Sequence, residues 1–203
     1  GTGDLIMTLG SSITAAQVDV ALAGAGATLY DVKAGGTAAG DNIHVIADGG
    51  AAVTLNGILQ AADNGGVGVD LDLGTSAVTM NADLNNILGQ IDMDGSGAGN
   101  ETLTLNSDIS AAGNIAVQQA VSLATDSTIN ANVADGGGSV TFEATLNSDV
   151  ANENALTIDN SSGAVTVQGI GATTALGAIT IDGTAVTLNG TLQADNDIQV
   201  MTN

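Results

Sequence analysis

The decapeptide AVTLNGILQA at Ala52–Ala61 returns as AVTLNGTLQA at Ala185–Ala194 with one residue changed. Repetition of this kind directs the reading toward stacked structural repeats. Its V-T-L triplet supplies the anchors Val53, Val78, Leu103, Val121, Val140, Val165 and Val186, spaced by 25, 25, 18, 19, 25 and 21 residues. After each anchor stands a hydroxyl residue: Thr54, Thr79, Thr104, Ser122, Thr141, Thr166 and Thr187. An apolar residue follows: Leu55, Met80, Leu105, Leu123, Phe142, Val167 and Leu188. The alternation has the period of a strand, so each anchor and its second neighbour share an inward face and form the candidate core.

Beyond the triplet stand Asn56, Asn81, Asn106 and Asn189, with Ala124, Glu143 and Gln168 in the other copies. Asn suits a corner, because its short amide tolerates left-handed backbone and identical amides stacked one above another can ladder. Leu59, Leu84, Ile109, Leu146 and Leu192, each six residues past its anchor, open a second strand. Leu71–Leu73, Ile91–Met93, Leu156–Ile158 and Ile179–Ile181 form another alternating family, followed by turn glycines such as Gly74, Gly95, Gly163 and Gly183.

The expected fold is all-β: a single parallel β-helix (β-solenoid) of about nine coils, each of 18–25 residues with roughly three short strands. A β-sandwich also has many short strands, but it does not require one strand motif to recur with its corner at near-constant offset. Residues 1–203 read as one rod, with irregular first coils over 1–42 and clear repeats over 43–203. Nine coils at the inter-strand spacing of roughly 4.8 Å give a length of about 43 Å. Everything here assumes that the V-T-L segments lie in register, rung over rung, along one axis.

Composition agrees with narrow coils. Hydrophobic residues make up 44% of the 203 positions and Gly fills 29, while aromatics reach only 1%. The core must therefore be thin and built from Ala, Val, Leu and Ile. No Pro interrupts the backbone ladders. One Lys or Arg, Lys33, against 22 Asp and Glu gives a formal charge of −21, which repels phosphate backbones and excludes nucleic acid as a partner. With no Cys and a single His, His44, neither a disulfide framework nor a thiolate or multi-histidine metal centre can be built. No apolar run approaches the roughly 20 residues of a membrane span. The chain opens at Gly1 with no basic n-region or apolar h-region, and reads as a processed or excised piece.

The two ends direct the functional reading. Neither GTGDLIMTLG nor ADNDIQVMTN looks like the amphipathic helix or charged strand that normally covers a solenoid's open coil. Leu5, Ile6 and Met7 at one end and Ile198 and Val200 at the other are the candidate assembly residues, stacking on other copies of the chain or on flanking repeats of a longer one.

The stretch GAVTVQGIGATTALGAITIDGTAVTLNG from Gly163 to Gly190 resembles the β-helical stalk segments of large bacterial repetitive surface and secreted proteins, the filamentous-haemagglutinin-like adhesins. The resemblance covers the chain from about residue 43 onward and lies in composition and rhythm. It implies an extracellular or cell-surface rod.

Asp70 and Asp72, Asp92 and Asp94, and Asp195 and Asp197 are each two residues apart and could point the same way on a strand. About 7 Å between such carboxylates would suit an inverting glycosidase. Yet an acidic polysaccharide needs Arg or Lys, and a neutral sugar needs aromatic platforms, for which only Tyr30 and Phe142 are available. The chain therefore reads as no enzyme, with no catalytic residues. Calcium is the cofactor these acids could take. GGVGVDLDL at Gly65–Leu73 is similar to a calcium-binding nonapeptide, but Asp72 stands where that repeat has a large apolar residue. Asp92, Asp94 and Ser96 are similar to the opening of an oxygen-ligand loop, with Leu103 where its closing Glu belongs and Glu101 two residues early. Stacked carboxylates also repel by roughly 1 kcal/mol in water and more at lower dielectric, so cations or protons are expected to screen them. His44 reads as an outward strand residue, and Met7, Met80, Met93 and Met201 as core or interface fillers. The single rank of hydroxyls falls short of the two-column array that ice binding would use.

The function expected from sequence is thus structural: an acidic extracellular solenoid that forms or extends a filament or adhesin stalk by stacking its uncapped coils. A calcium- or glycan-binding surface module is the alternative, and a polysaccharide-degrading β-helix stands behind it.

Overall fold

The computed structural model describes residues 5–6, 11–23, 26–36, 42–48, 52–57, 59–61, 67–72, 77–87, 90–94, 102–131 and 137–203. Within them every regular element is a strand and every named strand pair is parallel. The chain is a β-solenoid. The coils lay short strands on three faces, and the strands pair with counterparts one coil below or above.

On the first face, Val53, Val78, Leu103, Val121 and Leu146 stand in unbroken register, so at least five turns are stacked. The same ladder reaches down through Ala27 to Leu5, and on to Ile170, which bridges Leu192. The second face carries Ile109, Ile129 and Ile158, followed by Ile181 and Val200. Val18, Ile43, Val69, Ile91, Ile115, Val140, Val165 and Val186 build the third.

These segments become strands because every second side chain has somewhere apolar to go. Val53–Leu55, Val78–Met80 and Ile115–Val117 each bury their first and third residues and leave the middle one at the surface. The buried residues merge into one hydrophobic cluster running from Val18 to Ile181, with Phe142 its largest fully buried side chain. Thr, Ser and Asn occupy many outward positions, where a β-branched or small side chain suits a pleated surface. Leu156–Ile170 is long because it turns two corners without leaving the ladder: it pairs through Leu156–Asn160, again through Ala164–Val167, and reaches the first face at Ile170.

Corners bring backbones close. A Cβ on Gly138 would run into the Gly113 carbonyl, and one on Gly163 into the Gly138 carbonyl, so glycine is required where these corners stack.

The anchor series does not lie on one face. Val53, Val78, Leu103 and Val121 share the first face, and the 18-residue interval between Leu103 and Val121 is a true coil. The rung above Val121 is Leu146, whereas Val140 stands on Ile115 and continues through Val165 to Val186 on the third face. The 19 residues from Val121 to Val140 therefore cover only part of a turn. Both of these faces take a short alternating strand with its first and third residues inward, so the same triplet serves either one.

Two candidate core residues also end up differently from expectation. Val186 is only partly buried against the core and Leu188 is 41% exposed, because no described strand lies above the third-face rung Ala185–Leu188. The remaining candidates, Val53, Leu55, Val78, Met80, Leu103, Leu105, Val121, Leu123, Val140, Phe142, Val165 and Val167, are buried. Leu5 and Ile6 pair with Ala27 and Thr28, while Met7 lies outside the described residues. Among the described residues no helix is long and apolar enough to cross a membrane.

Candidate functional site

Outward positions of the third face line up by charge. Asp19, His44, Asp70 and Asp92 occupy one file on successive rungs, and Asp72 and Asp94 occupy a second file beside it. The strands place them there because their neighbours Val69, Leu71, Ile91 and Met93 take the inward positions of the same alternation. Parallel in-register pairing then sets like upon like: Asp70 beneath Asp92, Asp72 beneath Asp94. Four of the six aspartates singled out in the sequence are thus gathered on one patch, and Asp195 and Asp197 lie apart from it at exposed positions near the outer edge. Ser96 lies outside the described residues.

His44 sits between carboxylates of the adjoining coils, its Nδ1 3.6 Å from Asp19 Oδ1 and its Nε2 3.6 Å from Asp70 Oδ2. Among the described residues no cation pairs with the carboxylates at the upper end of the patch. There burial, followed by repulsion from Asp94, its hydrogen bond with Asp94, and the charges of Asp70 and Glu143, pushes the Asp92 carboxyl up to about 6. Burial likewise raises Asp70, helped by Asp94 and Asp72 and opposed by His44. Gln118, one coil above, donates a short side-chain hydrogen bond to Asp94.

The patch can therefore hold a proton in mildly acidic solution and draw in cations by long-range attraction. Among the described residues, however, no group of three or more His, Asp or Glu side chains is arranged to hold a metal ion. Of the two aromatics, Phe142 is buried in the core and Tyr30 is partly exposed.

A second array lies on the corner between the first and second faces. Asn81 Nδ2 donates to Asn56 Oδ1 at 2.8 Å, and Asn106 Nδ2 donates to Asn81 Oδ1 at 2.8 Å. Backbone bonds repeat the step, with the Asn56, Asn81 and Asn106 amides donating to the carbonyls of Leu29, Leu55 and Met80. Asn189 does not join them: it follows the third-face rung, and its backbone amide donates to the Val167 carbonyl.

The outer edge is the third feature. Ile198–Thr202 pairs with Ile179–Gly183 on one side and with no described strand on the other. Ile198 and Val200 continue inward columns whose previous rungs, Ile179 and Ile181, are fully buried, yet they are 43% and 41% exposed, and Met201 is 41% exposed.

Asp19, His44, Gln118 and Glu143 were not assigned to the acidic patch from sequence. Their signal is distance along the chain: Asp19, His44, Asp70 and Asp92 are separated by 25, 26 and 22 residues, each about one coil. No family model, curated protein or solved structure matches the chain.

Proposed function

We propose that this chain is a non-catalytic structural protein, an acidic β-solenoid that forms or extends an extracellular filament or adhesin stalk by end-on stacking of coils. The observation that supports this most is the outer edge: the inward residues Leu188, Ile198 and Val200 are left exposed, and Ile198–Thr202 has no described strand on its outer side. Such an edge is a template for another strand.

Magnitudes set what kind of stacking this is. Fully burying one such side chain contributes about 1.5–3 kcal/mol, so covering the exposed two-fifths of the three inward ones gives about 2–4 kcal/mol. New ladder hydrogen bonds add about 0.5–1.5 kcal/mol each. Association of separate molecules costs about 4–15 kcal/mol, so stacking between chains is concentration-dependent, while further coils in the same chain avoid that cost. The formal charge of −21 adds repulsion that salt relieves. A count of about nine coils, and hence a rod about 43 Å long, belongs to this reading.

Sedimentation and electron microscopy of the purified chain over a wide concentration range, at low and at physiological salt, test it. End-on oligomers or fibres that lengthen with concentration, and that Ile198→Lys with Val200→Lys prevents, are the expected result. Monomers at every concentration and salt, or assembly indifferent to the double substitution, would overturn it.

A further inference from the structure

The twice-occurring decapeptide contains Asn–Gly twice, at Asn56–Gly57 and Asn189–Gly190. Both glycines are demanded by packing: a Cβ on Gly57 would strike the backbone of Tyr30 and Asp31, and one on Gly190 would strike the Gln168 carbonyl. The corner thus couples an amide side chain to the one residue whose backbone nitrogen no side chain shields. Asn is among the thermolabile residues, and a following glycine leaves the attacking nitrogen open.

The two sites differ in what restrains them. Asn56 Oδ1 accepts a hydrogen bond from Asn81, and Gly57 is buried beneath its neighbours. Asn189 and Gly190 are both exposed, and the Asn189 side chain has no hydrogen-bond partner among the described residues. We propose that Asn189 is a site of spontaneous deamidation, and that the amide ladder protects Asn56 from the same reaction.

The Gly190 amide nitrogen, losing its proton, attacks Cγ of Asn189. A carbon–nitrogen bond forms, the Cγ–Nδ2 bond breaks, and ammonia leaves carrying the proton. Water then opens the succinimide at either carbonyl, giving aspartate or isoaspartate. The net change exchanges ammonia for water and adds one negative charge beside the outer edge. Isoaspartate also lengthens the backbone there by one methylene, which disturbs the Asn189 amide bond to Val167.

The test is incubation of the whole chain at mildly alkaline pH, followed by digestion before aspartates and mass spectrometry. Cuts at Asp48, Asp63, Asp70, Asp182 and Asp195 put Asn56, Asn64 and Asn189 on separate peptides; Asn64 lies outside the described residues. Conversion at Asn189 should run at least about tenfold faster than at Asn56, the difference made by about 1.4 kcal/mol of barrier. In urea the two rates should converge, and Asn81→Ala should speed conversion at Asn56 alone. Equal rates in the folded chain, or an intact Asn189 where Asn56 has reacted, would overturn the assignment. An Asn56 rate unmoved by Asn81→Ala would remove the ladder as its protector.

Discussion

Two nearly identical decapeptides sit in one molecule under different conditions. Ala52–Ala61 runs from the first face to the second with rungs below and above: Leu29 under Leu55, Met80 over it. Ala185–Ala194 runs from the third face to the first, with Val167 under Leu188 and no described strand over it. Leu55 is 1% exposed and Leu188 is 41% exposed. The same residues make core in one place and surface in the other, so in this fold burial is conferred by the neighbouring coil and not by the strand's own sequence. That is the expected behaviour of a one-dimensional stack, whose stability is the sum of repeat and interface terms.

The sharpest way to break the comparison is to shorten the same leucine in both copies. Leu55→Ala should cost about 2–5 kcal/mol, because both neighbouring rungs hold the cavity open. Leu188→Ala should cost less than about 1 kcal/mol, since much of that side chain already meets water. Denaturant titration of the two variants reads the difference directly; similar losses would mean that the outer coil is covered in solution.

Next in size is the amide corner. Asn81 both donates to Asn56 and accepts from Asn106, so Asn81→Ala removes two bonds at about 0.5–1.5 kcal/mol each, for a loss of roughly 1–3 kcal/mol. Asn189→Ala, with no side-chain bond to lose, should shift stability by less than about 0.5 kcal/mol. Thermal unfolding of both variants in one buffer is the check.

The comparison also explains what could be read in the sequence. Period-two alternation gave strands, the recurring triplet gave stacking, and the small residues gave a narrow interior, because each depends only on local chemistry. Which face a triplet occupies depends on the number of residues in every intervening corner. Val121 and Val140 are locally alike, yet the chain between them advances through only part of a turn, and nothing in either triplet marks the change. The acidic patch was half visible for the same reason. Asp70 with Asp72 and Asp92 with Asp94 stand out as pairs, whereas His44 and Asp19 join them only once the coil length is known. Leu188 was misplaced because its triplet carries no trace of whether another rung lies above it.

Stacking like upon like also has a cost, and a change of pH measures it. Asp92 stands over Asp70 and beside Asp94, and its carboxyl is raised from 3.8 to about 6, first by burial and then by those charges. A carboxyl whose folded value lies above its unfolded one binds protons more tightly in the folded chain, so its contribution to stability is present below about pH 4. That contribution is lost as pH rises through about 6. The raised value of Asp70 acts in the same direction. Because Asp92 remains partly open to solvent, screening reduces the effect to roughly 1 kcal/mol. Asp92→Asn removes the charge and keeps the shape, so it should leave stability near pH 4 almost unchanged, raise it at pH 7, and flatten the decline between the two. Unfolding midpoints at these two pH values, in low and in physiological salt, decide the matter. A parent chain equally stable at both, or an Asp92→Asn chain that keeps the full decline, would show that the file of carboxylates does not strain the coils it decorates.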